Sequence, residues 1–237
     1  PVYSVYEKAL EIYQSLQKRS PANYNLFTDV VKTFQELERF EEAQEFIENQ
    51  RKRDKSPRVL VELSQNAILQ GKSDKAKVYM DSIRANVREK PMYTITVSRA
   101  LEAYALLDWA EEIYLIGLEG TPDNASYIQR LALIYGEQGK IHKMFQTFVE
   151  LIEAQDRYYN MVLQYFSRYI TDNPKADTNK ALKRILLTNI QQQPDILYYD
   201  LLSWLFIQEQ DYAKAFQQEK AILNRDPERG MQAIRNI

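Results

Sequence analysis

Three adjacent residues, Gly71, Lys72 and Ser73, have the types and the order that end a phosphate-binding loop. Such a loop needs another glycine five residues before the Gly-Lys pair, so that successive backbone N–H groups can curl around the phosphates. Asn66 occupies that position. The loop should also follow a buried strand, whereas residues 59–69 have the apolar spacing of an amphipathic helix. The sequence therefore does not predict a nucleotide site here.

Other residue types that carry catalysis are scarce. The chain has no cysteine, which excludes disulfides, thiolate metal sites and cysteine nucleophiles. Its single histidine, His142, rules out a cluster of histidine metal ligands and is predicted to lie on a solvated surface. The carboxylate pairs Glu41-Glu42 and Glu111-Glu112 are predicted to begin helices, where the helix dipole favours negative charge. We expect no enzyme activity, no metal and no cofactor.

The charge balance argues against polyanionic partners. The sequence has 31 Lys and Arg against 33 Asp and Glu, a net charge of −2, which gives no general attraction for nucleic acid or anionic lipid. The basic run at 49–58 ends a predicted helix, where cations are favoured, although a phosphate or nucleic-acid patch stays an alternative. The apolar stretch 201–207 is too short to span a bilayer, so direct membrane insertion is not expected.

A repeat extends along the whole chain. Aligning the two Gln-Gly-Lys triplets at 70–72 and 138–140 sets a register whose equivalent positions are Ala9, Ala43, Ala76, Ala110, Met144, Ala181 and Ala215. Subtracting consecutive numbers gives separations of 34, 33, 34, 34, 37 and 34 residues. A period near 34 is typical of an array of helical hairpins.

Each repeat is interpreted as two helices with a turn between them. In residues 126–155, one apolar stripe precedes Gly139 and a second follows it, and residues 197–227 repeat this arrangement. Ser64, Ser98, Ala132 and Ser203 fall at equivalent positions of the first helices, and their small side chains would let paired helices approach closely.

These patterns resemble the tetratricopeptide repeat family, most closely at 126–155 and 197–227, well at 24–57 and less well at 92–122. The resemblance implies an all-α, right-handed superhelical solenoid of antiparallel helix hairpins, with about six full repeats and partial end units in one domain over 1–237. Two departures are Met144 in place of alanine and a three-residue insertion in the sixth repeat at 171–177.

Both ends of the array are interpreted as incomplete. Residues 4–19 form a second helix without its first helix, and residues 228–237 are interpreted as the start of an eighth repeat. With no initiator Met at the N-terminus, we expect the chain to be a segment of a longer protein. Its compartment stays open between a bacterial envelope or periplasm and the cytoplasm.

The resemblance also implies that first helices line a concave groove. By register, Lys32, Gln65 and Arg99 form a polar, partly basic row, and a second row is mostly apolar, with Leu133, Leu163, Leu197, Asp200 and Trp204. A partner segment with an acidic end and apolar anchors would complement such a groove. Trp204 is alternatively covered by a neighbouring repeat or by the tail at 228–237. The Lys and Asn pair with which some family members clamp a terminal carboxylate is not reproduced.

Three functional hypotheses follow. The first is a non-enzymatic scaffold that binds an extended peptide or a partner helix of another protein in the groove. The second is a structural arc of a longer solenoid or oligomer, with self-association through its open ends. The third is the regulatory module of an enzyme whose catalytic domain lies outside this sequence.

Overall fold

The computed structural model describes residues 2–228, which contain thirteen α-helices and no strand. This confirms the predicted all-α helical repeat. The chain divides into two compact units, Pro1–Pro122 and Asp123–Ile237, called here the N-terminal and C-terminal units. The single continuous domain predicted above stays a prediction.

The helices alternate as first and second members of the repeats. The N-terminal unit contains α1 (Val2–Arg19), α2 (Tyr24–Glu36), α3 (Phe40–Arg53), α4 (Arg58–Leu69), α5 (Ser73–Glu89), α6 (Thr94–Glu102) and α7 (Leu107–Gly120). The C-terminal unit contains α8 (Ala125–Glu137), α9 (Ile141–Ala154), α10 (Tyr159–Phe166), α11 (Asp177–Gln192), α12 (Ile196–Gln208) and α13 (Tyr212–Arg225). Helix α1 corresponds to the predicted 4–19. The predicted eighth repeat begins at 228, and its residues 229–237 lie outside the described part of the chain.

Side-chain caps and charges explain several helix ends. The side chain of Asn23 accepts hydrogen bonds from the first backbone N–H groups of α2, and Asn124 and Asp195 do the same for α8 and α12. Glu41 and Glu42 lie in the first turn of α3, as predicted. The basic run ends that helix, where its cations face the negative end of the dipole.

In four of the repeats, the second helix buries a small residue at the equivalent position. The second-helix alanines Ala43, Ala76, Ala110 and Ala215 are fully buried or nearly so. Ser64 on α4 is buried against Ala76 on α5, and its hydroxyl donates to the Ala76 carbonyl oxygen at 3.3 Å. The predicted close approach of the paired helices is therefore present at this crossing.

Five of the hairpin turns share one left-handed residue. Their positive φ angles are 55° at Glu38, 70° at Gly71, 54° at Ala105, 71° at Gly139 and 59° at Gln210. In each turn the next residue donates its backbone N–H to the carbonyl five residues earlier, as Lys72 does to Ala67 at 2.9 Å. This closes the helix in a Schellman motif, so Gly71 belongs to a helix-ending turn and not to a phosphate loop.

Three of these turns place a side chain where glycine fits better, which gives a direct test. We expect Ala105→Gly to raise the free energy of unfolding by about 0.5–1 kcal/mol, because it removes the contact between Cβ and the backbone in the left-handed region. Ala103→Gly is the matched control, since Ala103 has a helical φ of −63° and should lose stability. Urea denaturation of both variants measures the difference. Equal losses in the two would contradict the strain at Ala105.

Met144, the predicted departure on α9, is accommodated by a glycine on α8. Met144 is buried, and a Cβ built on Gly136 would lie 2.9 Å from the Met144 sulfur. The larger side chain therefore fills the space that a small residue on the first helix leaves, and the hairpin keeps its geometry.

The sixth repeat departs from the other hairpins. Residues 167–176 join α10 to α11, and α11 packs against α9 and α12. The buried Asn179 binds the backbone of Thr171 at both ends: its amide oxygen accepts from Thr171 N at 3.1 Å, and its amide nitrogen donates to Thr171 O at 2.8 Å. The buried stripe of α11 contains Leu182, whereas Ala181, the position predicted by register, is partly exposed.

Candidate functional site

The first helices of three consecutive repeats lie side by side in the N-terminal unit. Helix α4 packs against both α2 and α6. Lys32 on α2, Gln65 on α4 and Arg99 on α6 hold equivalent positions in their repeats, so their side chains reach the same surface. The structure places Lys32 and Arg99 at one pocket and Lys32 and Gln65 at a second, and the role of this row in binding stays a prediction.

Two adjoining pockets form a groove on this surface. A pocket of about 680 Å³ is lined from α2 by Tyr24, Asp29 and Lys32, from α4 by Arg58 and Glu62, and from α6 and its C-terminal turn by Arg99 and Tyr104. A second pocket of about 520 Å³ shares Lys32 and Tyr104 and adds Gln65 and Leu69. We call the two pockets together the polar groove.

A buried carboxylate forms the floor of the polar groove. Glu62 is 1% exposed and accepts a hydrogen bond at each carboxyl oxygen. The Tyr24 hydroxyl lies 3.2 Å from Oε1, and the Tyr104 hydroxyl donates to Oε2. Burial raises the pKa of Glu62 to about 7, while the hydrogen bonds from Tyr104 and Tyr24 and the charges of Lys32 and Arg58 lower it.

The two tyrosines respond to the same burial. Desolvation and the nearby charge of Glu62 raise the pKa of Tyr24 and of Tyr104 well above the ordinary value for a phenol. Both hydroxyls therefore keep their protons throughout the physiological pH range and act as donors to Glu62.

The cations at the groove differ in their ion pairs and in their contacts with aromatic rings. The Arg58 guanidinium lies 3.7 Å from the centre of the Tyr24 ring and pairs with Asp54 at 3.2 Å. The ammonium of Lys32 lies 5.1 Å from the centre of the Tyr104 ring. Among residues 2–228, neither Lys32 nor Arg99 has an ion pair, and both side chains are exposed. These two cations are available to an anionic ligand.

Gln65, at the second pocket, has a buried side-chain oxygen. Its amide oxygen is buried and accepts no hydrogen bond from the described residues. A buried acceptor without a donor is costly, because its desolvation is not compensated.

The mostly apolar row predicted for the C-terminal unit is described separately. Leu133, Leu163, Leu197, Asp200 and Trp204 are all half-buried. The Trp204 ring lies 6.2 Å from the Phe166 ring, centre to centre, so this tryptophan is partly packed and partly accessible. Leu197 lines a pocket of about 400 Å³ with Ile152 and Tyr159. The role of this row in binding stays a prediction.

Residues considered for catalysis have structural explanations. His142 is exposed at the start of α9, as predicted. Glu112 lies in the second turn of α7, later than predicted, and pairs with Arg84 through two hydrogen bonds of 2.7 Å.

Within the described residues, no group of three or more potential metal ligands is present. Between residues 2 and 228, no helix combines the length and apolar composition needed to cross a bilayer.

The buried cluster of Glu62, Tyr24 and Tyr104 was not predicted from the sequence. Glu62 lies three residues after Val59 and next to Leu63, on the buried side of α4. A charged residue within an apolar stripe was the available signal. Its partners Tyr24 and Tyr104 lie 38 and 42 residues away along the chain, which no local pattern indicates.

Comparisons with known proteins find matches among solved structures. No family model matches the sequence, and no curated protein matches it. A tetratricopeptide repeat protein from Parabacteroides merdae is 14% identical, with a TM-score of 0.36 over 97% of this chain and 91% of that one. The C-terminal part of a TPR repeat-containing protein from Cytophaga hutchinsonii is 14% identical, with a TM-score of 0.39 over 96% and 94%. The MamA RS-1 ArsTM double mutant is 13% identical, with a TM-score of 0.31 over 86% and 95%. The repeat architecture described above is established by the helix packing of this chain itself.

Proposed function

We propose that this chain is a non-enzymatic protein-interaction scaffold that binds an extended, acidic segment of another protein in the polar groove. The observation that carries the proposal is the pair of cations without ion-pair partners, Lys32 and Arg99, which lie at one pocket from two different helices. A carboxylate between them would form charge-assisted hydrogen bonds, which are among the stronger polar contacts.

The second pocket extends the same binding mode. Gln65 lines it from α4, and Leu69 supplies an exposed apolar contact beside it. An extended peptide presents successive side chains and can therefore reach both pockets. A peptide with acidic and apolar residues therefore fits the groove, with its carboxylates beside Lys32 and Arg99 and an apolar side chain beside Leu69.

Selection of peptides on the folded protein tests this proposal. A library of random twelve-residue peptides displayed on phage is selected on the wild-type chain, and we expect the recovered peptides to be enriched in Asp and Glu. Binding of a recovered peptide, measured by fluorescence anisotropy, should weaken at least tenfold in Lys32→Glu and in Arg99→Glu.

The matched control is Lys77→Glu, since Lys77 is an exposed lysine of the same unit on the second helix α5. This variant should bind like the wild type. Equal binding by all three variants would overturn the groove assignment. Recovery of no peptide would favour the structural alternative, because α1 exposes an apolar face at Val5, Ile12 and Leu16 that suits self-association.

A further inference from the structure

The hydroxyl of Tyr24 has two acceptors and one proton. Its oxygen lies 3.2 Å from the backbone carbonyl oxygen of Arg58 and 3.2 Å from Oε1 of Glu62. A phenol donates one hydrogen bond at a time, so the proton can point to either acceptor. Rotation of the hydroxyl alone exchanges the two arrangements.

This geometry satisfies Glu62 in both of its charge states. When Glu62 is ionised, it accepts from Tyr24 and from Tyr104. When Glu62 is protonated, it donates to the Tyr24 oxygen, while Tyr24 donates to the Arg58 carbonyl and Tyr104 still donates to the other carboxyl oxygen. No buried polar atom of the cluster loses its partner, so no side chain has to move when the proton arrives.

The charge of the polar groove depends on that proton. Helix α2 contributes Lys32 and Asp29, α4 contributes Arg58 and Glu62, and Arg99 comes from α6. Asp54, in the loop before α4, pairs with Arg58. With Glu62 ionised, three cations and three carboxylates lie at the larger pocket and its Arg58–Asp54 pair, and the second pocket adds Glu36 and Glu38. Protonation of Glu62 removes one negative charge from the groove, beside Lys32 and Arg99.

We infer that the polar groove binds an acidic segment together with one proton, which Glu62 takes up, so that binding strengthens as the pH falls through neutrality. The inference rests on the function proposed above and adds its regulation. A ligand carboxylate beside Lys32 and Arg99 repels ionised Glu62 and favours the protonated form. By reciprocity, the protonated form binds the ligand more tightly.

The site is suited to respond near neutral pH. Burial already raises the pKa of Glu62 to about 7 in the free protein, and a bound anion would raise it further. The sequence has no cysteine and its single histidine, His142, lies outside Pro1–Pro122. The side chains that ordinarily titrate between pH 6 and 8 are therefore absent from the N-terminal unit by sequence.

Two measurements on the full chain test the inference. The first is an NMR titration of ¹³C-labelled glutamate carboxyl groups in the free protein, with Glu62→Gln identifying the Glu62 signal. The expected midpoint lies near pH 7. A midpoint near the ordinary value for a glutamate would overturn the inference, whatever the binding data show.

The second measurement is the affinity for a fluorescein-labelled hexapeptide of alternating leucine and glutamate at pH 6 and pH 8. We expect the wild type to bind about tenfold more tightly at pH 6. Glu62→Gln should bind with the same affinity at both pH values, close to that of the wild type at pH 6. An unchanged pH dependence in Glu62→Gln would overturn the proton coupling while leaving the proposed function intact. No binding at either pH would overturn the proposed function and the coupling with it.

Discussion

Replacing Glu62 with glutamine is expected to stabilise the N-terminal unit at pH 8 by roughly 3 kcal/mol and to change its stability little at pH 4.5. The folded state holds the Glu62 proton up to a pKa of about 7, whereas the ordinary value is 4.5. Each unit of difference between these two pKa values corresponds to about 1.4 kcal/mol in the free energy of unfolding. Because the folded state binds the Glu62 proton more tightly than the unfolded state does, the contribution of this proton to the free energy of unfolding is fully present below about pH 4.5. It is lost as the pH rises to about 7.

Glutamine reproduces the protonated state without the titration. Its amide oxygen accepts from Tyr104, and its amide nitrogen donates to Tyr24, which then donates to Arg58 O. Urea denaturation followed by the fluorescence of Trp109 on α7, in a Trp204→Phe background, reports on this unit alone. Glu36→Gln, an exposed glutamate on α2, is the matched control and should keep the wild-type pH dependence. The same slope in Glu62→Gln would mean that Glu62 is not the titrating group.

Replacing Gly117 with alanine is expected to destabilise the N-terminal unit by about 2 kcal/mol. A Cβ at this position would lie 2.5 Å from Cγ2 and 2.6 Å from Oγ1 of Thr94. Thr94 is fully buried, and its hydroxyl donates to Pro91 O at 2.7 Å, so it has no room to move. The overlap therefore outweighs the gain in helix propensity that alanine brings.

Two further variants separate this overlap from other effects of the substitution. Gly120→Ala on the same helix is the control, because its Cβ would meet Pro91 at an ordinary 3.5 Å. Thr94→Ala removes both colliding atoms, so the double variant with Gly117→Ala should lose less stability than the sum of the single losses. Additive losses in this cycle, measured by urea denaturation, would refute the steric explanation.

Much of the fold could be predicted from the sequence because the packing demand repeats. The small residues Ala43, Ala76 and Ala110 recur at the helix crossings, and the glycines Gly71 and Gly139 mark two of the turns. The sixth repeat was less predictable, since its three-residue insertion shifts the register. There a buried Asn179 replaces the left-handed turn through tertiary hydrogen bonds, which no spacing rule contains.

The candidate site also contains residues that were predicted from the sequence and one that was not. Lys32, Gln65 and Arg99 were assigned to one surface by register together with the resemblance to the repeat family, and the structure places them at two pockets that share Lys32. Their role in binding stays a prediction. Glu62 was not predicted, since helix periodicity indicates that its position is buried but not that two tyrosines donate to it. Charge state in a protein interior depends on such distant donors, and a single sequence does not specify them.

The order of the helix contacts along the chain has a kinetic consequence. The helices that pack together are neighbours or next neighbours in sequence, such as α4 with α5 and α9 with α11. Only short loops must close before such contacts form, so little chain entropy is lost for each of them. Within each unit, folding can therefore nucleate in any hairpin and propagate by addition of the next helix. A low contact order of this kind is associated with folding in microseconds to milliseconds.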